Sequence, residues 1–123
     1  MSKDCKRYFY KNNIYCKRQL VKKIVEDYIS ANKNITFPDL EKVFPPEIQQ
    51  KTKLKIASFD VFRKTEDITD SQDKHYFSEE ILLNDGIKIR INSGWDKENV
   101  VAFIEVAKKL GYSIKEIKQE ENL

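Results

Sequence analysis

Residues 81–91 run Ile81-Leu82-Leu83, then Asn84-Asp85-Gly86, then Ile87-Lys88-Ile89-Arg90-Ile91, and the last of these runs is a strict two-residue alternation. A helix cannot use that pattern. Alternation gathers Ile87, Ile89 and Ile91 on one side of an extended chain, whereas helical turns would scatter them around the axis. Asp-Gly between two β-rich runs marks a hairpin, because glycine accepts the positive φ of the turn. The three isoleucines are expected to face a core, with Lys88 and Arg90 facing water. Beyond Ser93-Gly94-Trp95 the period changes. Val100, Phe103, Ile104, Ala107 and Leu110 recur at three and four residues, Asp96 can cap the start, and Gly111 stands where a left-handed residue closes a helix. A hairpin followed by a capped helix over 96–110 commits the chain to both kinds of element.

The N-terminal half repeats this mixture. Tyr8-Phe9-Tyr10 and Ile14-Tyr15, separated by Lys11-Asn12-Asn13, predict a short hairpin. From Lys17 to Ala31 the apolar positions Leu20, Val21, Ile24, Val25, Tyr28 and Ile29 form one helical stripe. Thr36-Phe37-Pro38-Asp39 restarts a helix with a hydroxyl cap, a first-turn proline and an acid three residues on, and Pro45-Pro46 ends it. A further short helix is expected over 46–55, a strand over 57–62, a polar mobile loop over 65–74 and a last strand over 112–118. The 123 residues, 40% of them hydrophobic, supply one core without help from disulfides or metals. The expected fold is a single α+β domain spanning 1–123. It would have a helix-turn-helix-like N-terminal pair, a mostly antiparallel sheet of roughly three or four strands, and a long C-terminal helix packed on that sheet.

Charge divides by position. Residues 1–64 carry 15 Lys/Arg against 7 Asp/Glu, and 65–123 carry 8 against 13, so a basic half and an acidic half hide inside a net charge of +3. Such asymmetry points to an anionic partner for the basic half. The excess gathers at Lys3, Lys6, Arg7, Lys11, Lys17, Arg18, Lys22 and Lys23, with a second knot at Lys51, Lys53 and Lys55. Lysine outnumbers arginine 19 to 4. Since arginine makes the forked contacts that read bases, a lysine-rich surface implies nonspecific phosphate neutralisation, and part of the excess is explicable as lysine bias alone. The N-terminal bases interleave with Tyr8, Phe9, Tyr10 and Tyr15, a mixture that suits single-stranded nucleic acid if the rings are exposed and a plain core hairpin if they are buried.

Helix, capped helix, short third helix and then a strand hairpin is also the order of a winged helix, which this chain resembles in order and spacing. The resemblance implies DNA contact through Gln49, Gln50, Lys51, Lys53 and Lys55 of the third helix, although Lys51-Thr52-Lys53-Leu54-Lys55-Ile56 alternates like a strand. The phrase Thr36-Phe37-Pro38-Asp39-Leu40-Glu41-Lys42-Val43-Phe44-Pro45, with 95–112, resembles a small uncharacterised bacterial domain that occurs alone or appended to restriction-type proteins. That resemblance implies an accessory role near nucleic acids and brings no catalytic residue.

Catalytic constellations are sparse. His75 is the only histidine, in a loop between Lys74 and Tyr76, and nothing in the spacing places it beside Cys5 or Cys16. Two cysteines 11 apart make neither a disulfide framework nor a zinc pattern. Glu116-Ile117-Lys118 with Asp85 or Asp96 upstream imitates a Mg²⁺-dependent nuclease, but among many acids such a triplet arises by chance and a surface strand edge is the preferred reading. Three glycines leave no phosphate loop. The basic start is followed by no apolar run, and no span approaches membrane length, so a cytoplasmic protein without membrane contact is expected. The leading expectation is a non-enzymatic nucleic-acid-binding accessory module without catalytic residues, metal or cofactor. Its rival is a protein-interaction module, a homo-oligomer or one with an acidic partner, in which Trp95 or the tyrosines act as anchors; a nuclease comes third.

Overall fold

The computed structural model describes residues 7–50 and 60–117. It begins with β1, Arg7–Tyr10, and β2, Asn13–Tyr15, paired antiparallel with Tyr8 opposite Tyr15 and Phe9 opposite Ile14. The connecting residues Lys11 and Asn12 have φ of 49° and 67°. Two successive left-handed residues match the twist of the strands they join, and asparagine tolerates that geometry better than most side chains. Helix α1, Lys17–Ala31, follows at once and buries Leu20, Val21, Ile24 and Val25, the stripe expected from its spacing. Helix α2, Phe37–Val43, starts at a capping box in which the Thr36 hydroxyl donates to Asp39 Oδ2 at 2.9 Å. Phe44 leaves helical geometry before Pro45, and Pro46–Gln50 forms a single 3-10 turn.

The second half contains β3, Phe62–Lys64, β4, Ile81–Leu82, and β5, Lys88–Ile91. Helix α3, Lys97–Lys109, is capped by Asp96 Oδ1, which accepts from the backbone of Glu98 at 2.9 Å and Asn99 at 2.8 Å. It ends before Gly111, whose φ of 103° favours glycine. The last described strand is β6, Lys115–Ile117. Among the described residues no helix is long and apolar enough to cross a membrane.

The α+β class holds, but the expected layout does not. In place of one sheet there are two three-stranded antiparallel sheets, ordered β2-β1-β6 and β3-β5-β4. The final strand joins the N-terminal hairpin, pairing Arg7 with Ile117 and Phe9 with Lys115. α3 is not a long helix laid across a sheet. At 13 residues it is shorter than the 15-residue α1, and it packs on α1 and on the turn Pro46–Gln50. The helix-turn-helix pair is corrected for the same reason, since α1 finds its main helical partner in α3 rather than in α2. The cause lies in the buried stripes. Val100, Phe103 and Ala107 are fully covered, as are Leu20 and Ile24, whereas the short α2 has Leu40 as its one buried residue and so offers the other helices a much narrower apolar face. Of the short helix expected over 46–55 only the 3-10 turn is described; of the strand expected over 57–62, residues 57–59 lie outside the described residues and the pairing begins only at Phe62, running on to Lys64.

Aromatic rings join the parts. Tyr28 of α1 meets Phe44 edge-on at 5.6 Å, Phe44 stacks on Phe103 of α3 at 5.3 Å, and Phe103 meets Trp95 at 5.4 Å. Trp95 also donates its indole N–H to the Asn92 carbonyl at 2.8 Å, which fastens the end of β5 to α3. The tryptophan is therefore buried as a staple.

Arg90 departs from the alternation that predicted a solvated side chain, being only 9% exposed. The stretch 75–77 runs antiparallel beside the end of β5, with Tyr76 bridged to Asn92 and the Phe77 N–H donating to the Ile91 carbonyl at 2.8 Å, and with the preceding turn it surrounds the Arg90 side chain with acceptors. Arg90 Nε donates to Phe77 O at 2.6 Å, one terminal nitrogen to Asp73 Oδ1 at 2.7 Å and the other to Tyr76 O at 3.1 Å. Lys88 is exposed as expected.

Candidate functional site

The pleat of the β2-β1-β6 sheet sorts its residues. Tyr8 and Tyr10 point inward, 4% and 1% exposed, against α1. Strand periodicity then sends Arg7 and Phe9 outward, and the registers place Ile14, Lys115 and Ile117 on the same side. Phe9 is 39% exposed and Ile14 62%. Ile14, Phe9 and Lys115 form one row across all three strands, and Arg7 with Ile117 form the next. None of these five residues is acidic, because Glu116 falls on the opposite face.

A groove of about 540 Å³ opens beside this row, between the turn Lys11-Asn12 and the segment 111–113. Phe9, Tyr10 and Tyr112 supply its apolar wall and Lys11, Asn12, Ser113 and Lys115 its polar groups, again without a carboxylate. The wall is firm, since Tyr10 and Tyr112 meet edge-on at 6.0 Å. The arrangement can hold a flat or apolar group against Phe9 while placing an anion near ammonium groups.

The basic residues singled out from the sequence do not act as one surface. Asp27 on α1 accepts from the Tyr10 hydroxyl at 2.7 Å and lies 3.2 Å from Lys11 Nζ and 3.3 Å from Lys23 Nζ. Burial pushes the Asp27 pKa up, but these three donors outweigh it and hold the carboxyl below its usual range. The same contact raises the pKa of Lys23, and burial together with Asp27 raises that of Tyr10. Lys22 pairs with Glu26 at 3.0 Å, one helical turn on. Arg7 lies on the outer sheet face, Lys17 and Arg18 in the first turn of α1, and Arg18 is exposed. Lys3, Lys6, Lys51, Lys53 and Lys55 lie outside the described residues.

The groups considered for chemistry have structural duties. Asp85 Oδ2 accepts from the Phe37 backbone at 2.9 Å and so ties the β4–β5 turn to the start of α2. Asp96 is the α3 cap, and Lys118 lies outside the described residues. His75 is exposed, while Cys16 stands as the N-cap residue of α1. Among the described residues no group of three or more His, Cys, Asp and Glu is placed to hold a metal ion. One half-buried acid carries no signal in the sequence: Asp60 accepts from the Tyr76 hydroxyl and Arg63 Nε, each at 2.8 Å, and burial outweighs those donors to raise its pKa.

Lys115 and Ile14 were missed as site residues. Ile14 reads in the sequence only as part of the hairpin, and Lys115 sits in the acidic half, where no local signal pairs it with Phe9. Comparison with known proteins yields no match to any family model, curated protein or solved structure.

Proposed function

We propose that the protein is a non-enzymatic nucleic-acid-binding accessory module acting by phosphate neutralisation, with the outer face of the β2-β1-β6 sheet as its contact surface. The observation that carries this reading is the sign of that face. Lys115 stands exposed on it in one row with Phe9 and Ile14, and Lys11 in the β1–β2 turn shares the single charge of Asp27 with Lys23 of α1. Two ammonium groups against one carboxylate leave a positive corner, and phosphates are attracted to such a corner through counterion release. We place this activity in the cytoplasm, where thiols such as the free Cys16 stay reduced.

The test is an electrophoretic shift with labelled oligonucleotides, single-stranded and duplex, at rising salt. Binding is expected near 50 mM salt, at about micromolar to submillimolar affinity, and falls steeply with ionic strength. Lys115→Gln is expected to reduce the slope of log affinity against log salt by about 0.7–0.9, one phosphate contact. No shift of any oligonucleotide at low salt overturns the proposal. A second reading, association with an acidic protein surface or another copy of the chain, draws on the same exposed pair of Phe9 and Ile14.

A further inference from the structure

We infer that this face takes single-stranded nucleic acid, with an unpaired base stacked on the Phe9 ring and the neighbouring nucleotide lying in the groove beside it. The inference rests on the reading above and narrows it to a substrate class.

Charge alone does not distinguish single strands from duplex, since both offer phosphates. The distinction comes from Phe9. A duplex keeps its bases stacked on one another, so an exposed ring on a flat sheet face gains nothing from its backbone; unpaired bases offer a π-face to that ring. Cross-strand neighbours on one sheet face stand roughly 5 Å apart, so the row Ile14, Phe9, Lys115 places an aliphatic edge, a stacking platform and a cation about 10 Å end to end. A nucleotide has that sequence of parts, with an apolar ring at one end and a phosphate at the other. The groove continues the row. It is an open depression of about 540 Å³ whose rim offers the Lys11 ammonium, the Asn12 amide and the Ser113 hydroxyl.

Two other kinds of partner fit less well. A purely apolar partner would desolvate Lys115 beside Phe9 with no countercharge of its own. An acidic peptide would meet the cations, yet it offers no flat group to the ring. The contact groups of the row are a phenyl ring and an ammonium, which do not tell one base from another, so binding is expected to be tolerant of sequence.

The experiment measures fluorescence anisotropy of a labelled single strand of about 12 nucleotides, within the span one small domain can cover, against the same sequence as a duplex and against poly-glutamate. The single strand is expected to bind at least 10-fold more tightly than either competitor. Phe9→Ala is expected to weaken it roughly 5- to 150-fold with little change for duplex, and Phe9→Tyr to retain binding. Phe9→Trp adds a direct readout independent of any loss of stability: its fluorescence is expected to be quenched by the single strand, while the buried Trp95 of the wild type stays unchanged. Equal affinity for duplex with no effect of Phe9→Ala and no quenching overturns the inference and leaves the phosphate-binding module intact. Preference for poly-glutamate overturns it in favour of a protein partner, and absence of all nucleic-acid binding overturns both readings.

Discussion

Asp27 ties a buried phenol to two ammonium groups that stay at the surface. A carboxylate that accepts from a buried phenol and lies beside two ammonium groups is worth more to the fold than to any partner, and its lowered pKa makes that contribution depend on pH. The folded pKa lies below the unfolded one, so the stabilisation is fully present above about pH 4 and is lost as pH falls through the folded value. Asp27→Asn is expected to reduce stability at pH 7 by about 1–2 kcal/mol in urea denaturation, with a gap to wild type that narrows below about pH 4. A gap unchanged down to pH 2 would show that the charge of Asp27 contributes nothing. Arg90 carries a related lesson. Its alternation with three isoleucines announces the strand, but its solvation depends on which segment lies beside that strand. The segment that does, 73–77, has no strand-like alternation, so its pairing with the end of β5 leaves no mark in the spacing of residues.

Among the elements, the legible parts were those whose chemistry is local. The box at Thr36 and Asp39, the Asp96 cap, the Gly111 terminus and the Asp85-Gly86 turn each need only neighbours within a few residues, and each lies where that chemistry requires it. Asp96→Ala is expected to destabilise by about 1 kcal/mol and Asp96→Ser by only a fraction of that, read as midpoints of thermal or urea unfolding. Equal loss in both variants would mean that Asp96 acts through its charge rather than as a hydrogen-bond acceptor. The partners of the elements were not legible. A strand pattern says which face is apolar but not which strand lies alongside, so β6 was foreseen as a strand and its place beside β1 was not. The same gap hid the candidate face. Phe9 was visible as an aromatic among cations, but choosing it over Tyr8 and Tyr10 required the direction of the pleat, and adding Lys115 required the register.

At the scale of the molecule, the ring series from Tyr28 through Phe44 and Phe103 to Trp95 makes the helices and the second sheet share one interior. Phe103→Ala is expected to cost about 3–5 kcal/mol, because the cavity opens at the meeting point of α1, α3 and the Pro46–Gln50 turn. In wild type the Trp95 fluorescence and the far-ultraviolet circular dichroism should trace a single unfolding curve; separate curves would show that the two sheets melt independently. The pairing of residues 7–9 with 115–117 adds a matter of timing. A chain emerging from synthesis can pair β1 with β2 early, yet the strand that brings Lys115 beside Phe9 is made long after that hairpin, and the pairing closes over a long loop. Unfinished or misfolded copies therefore lack the completed face, and the capacity to bind becomes a certificate that the rest of the molecule has folded.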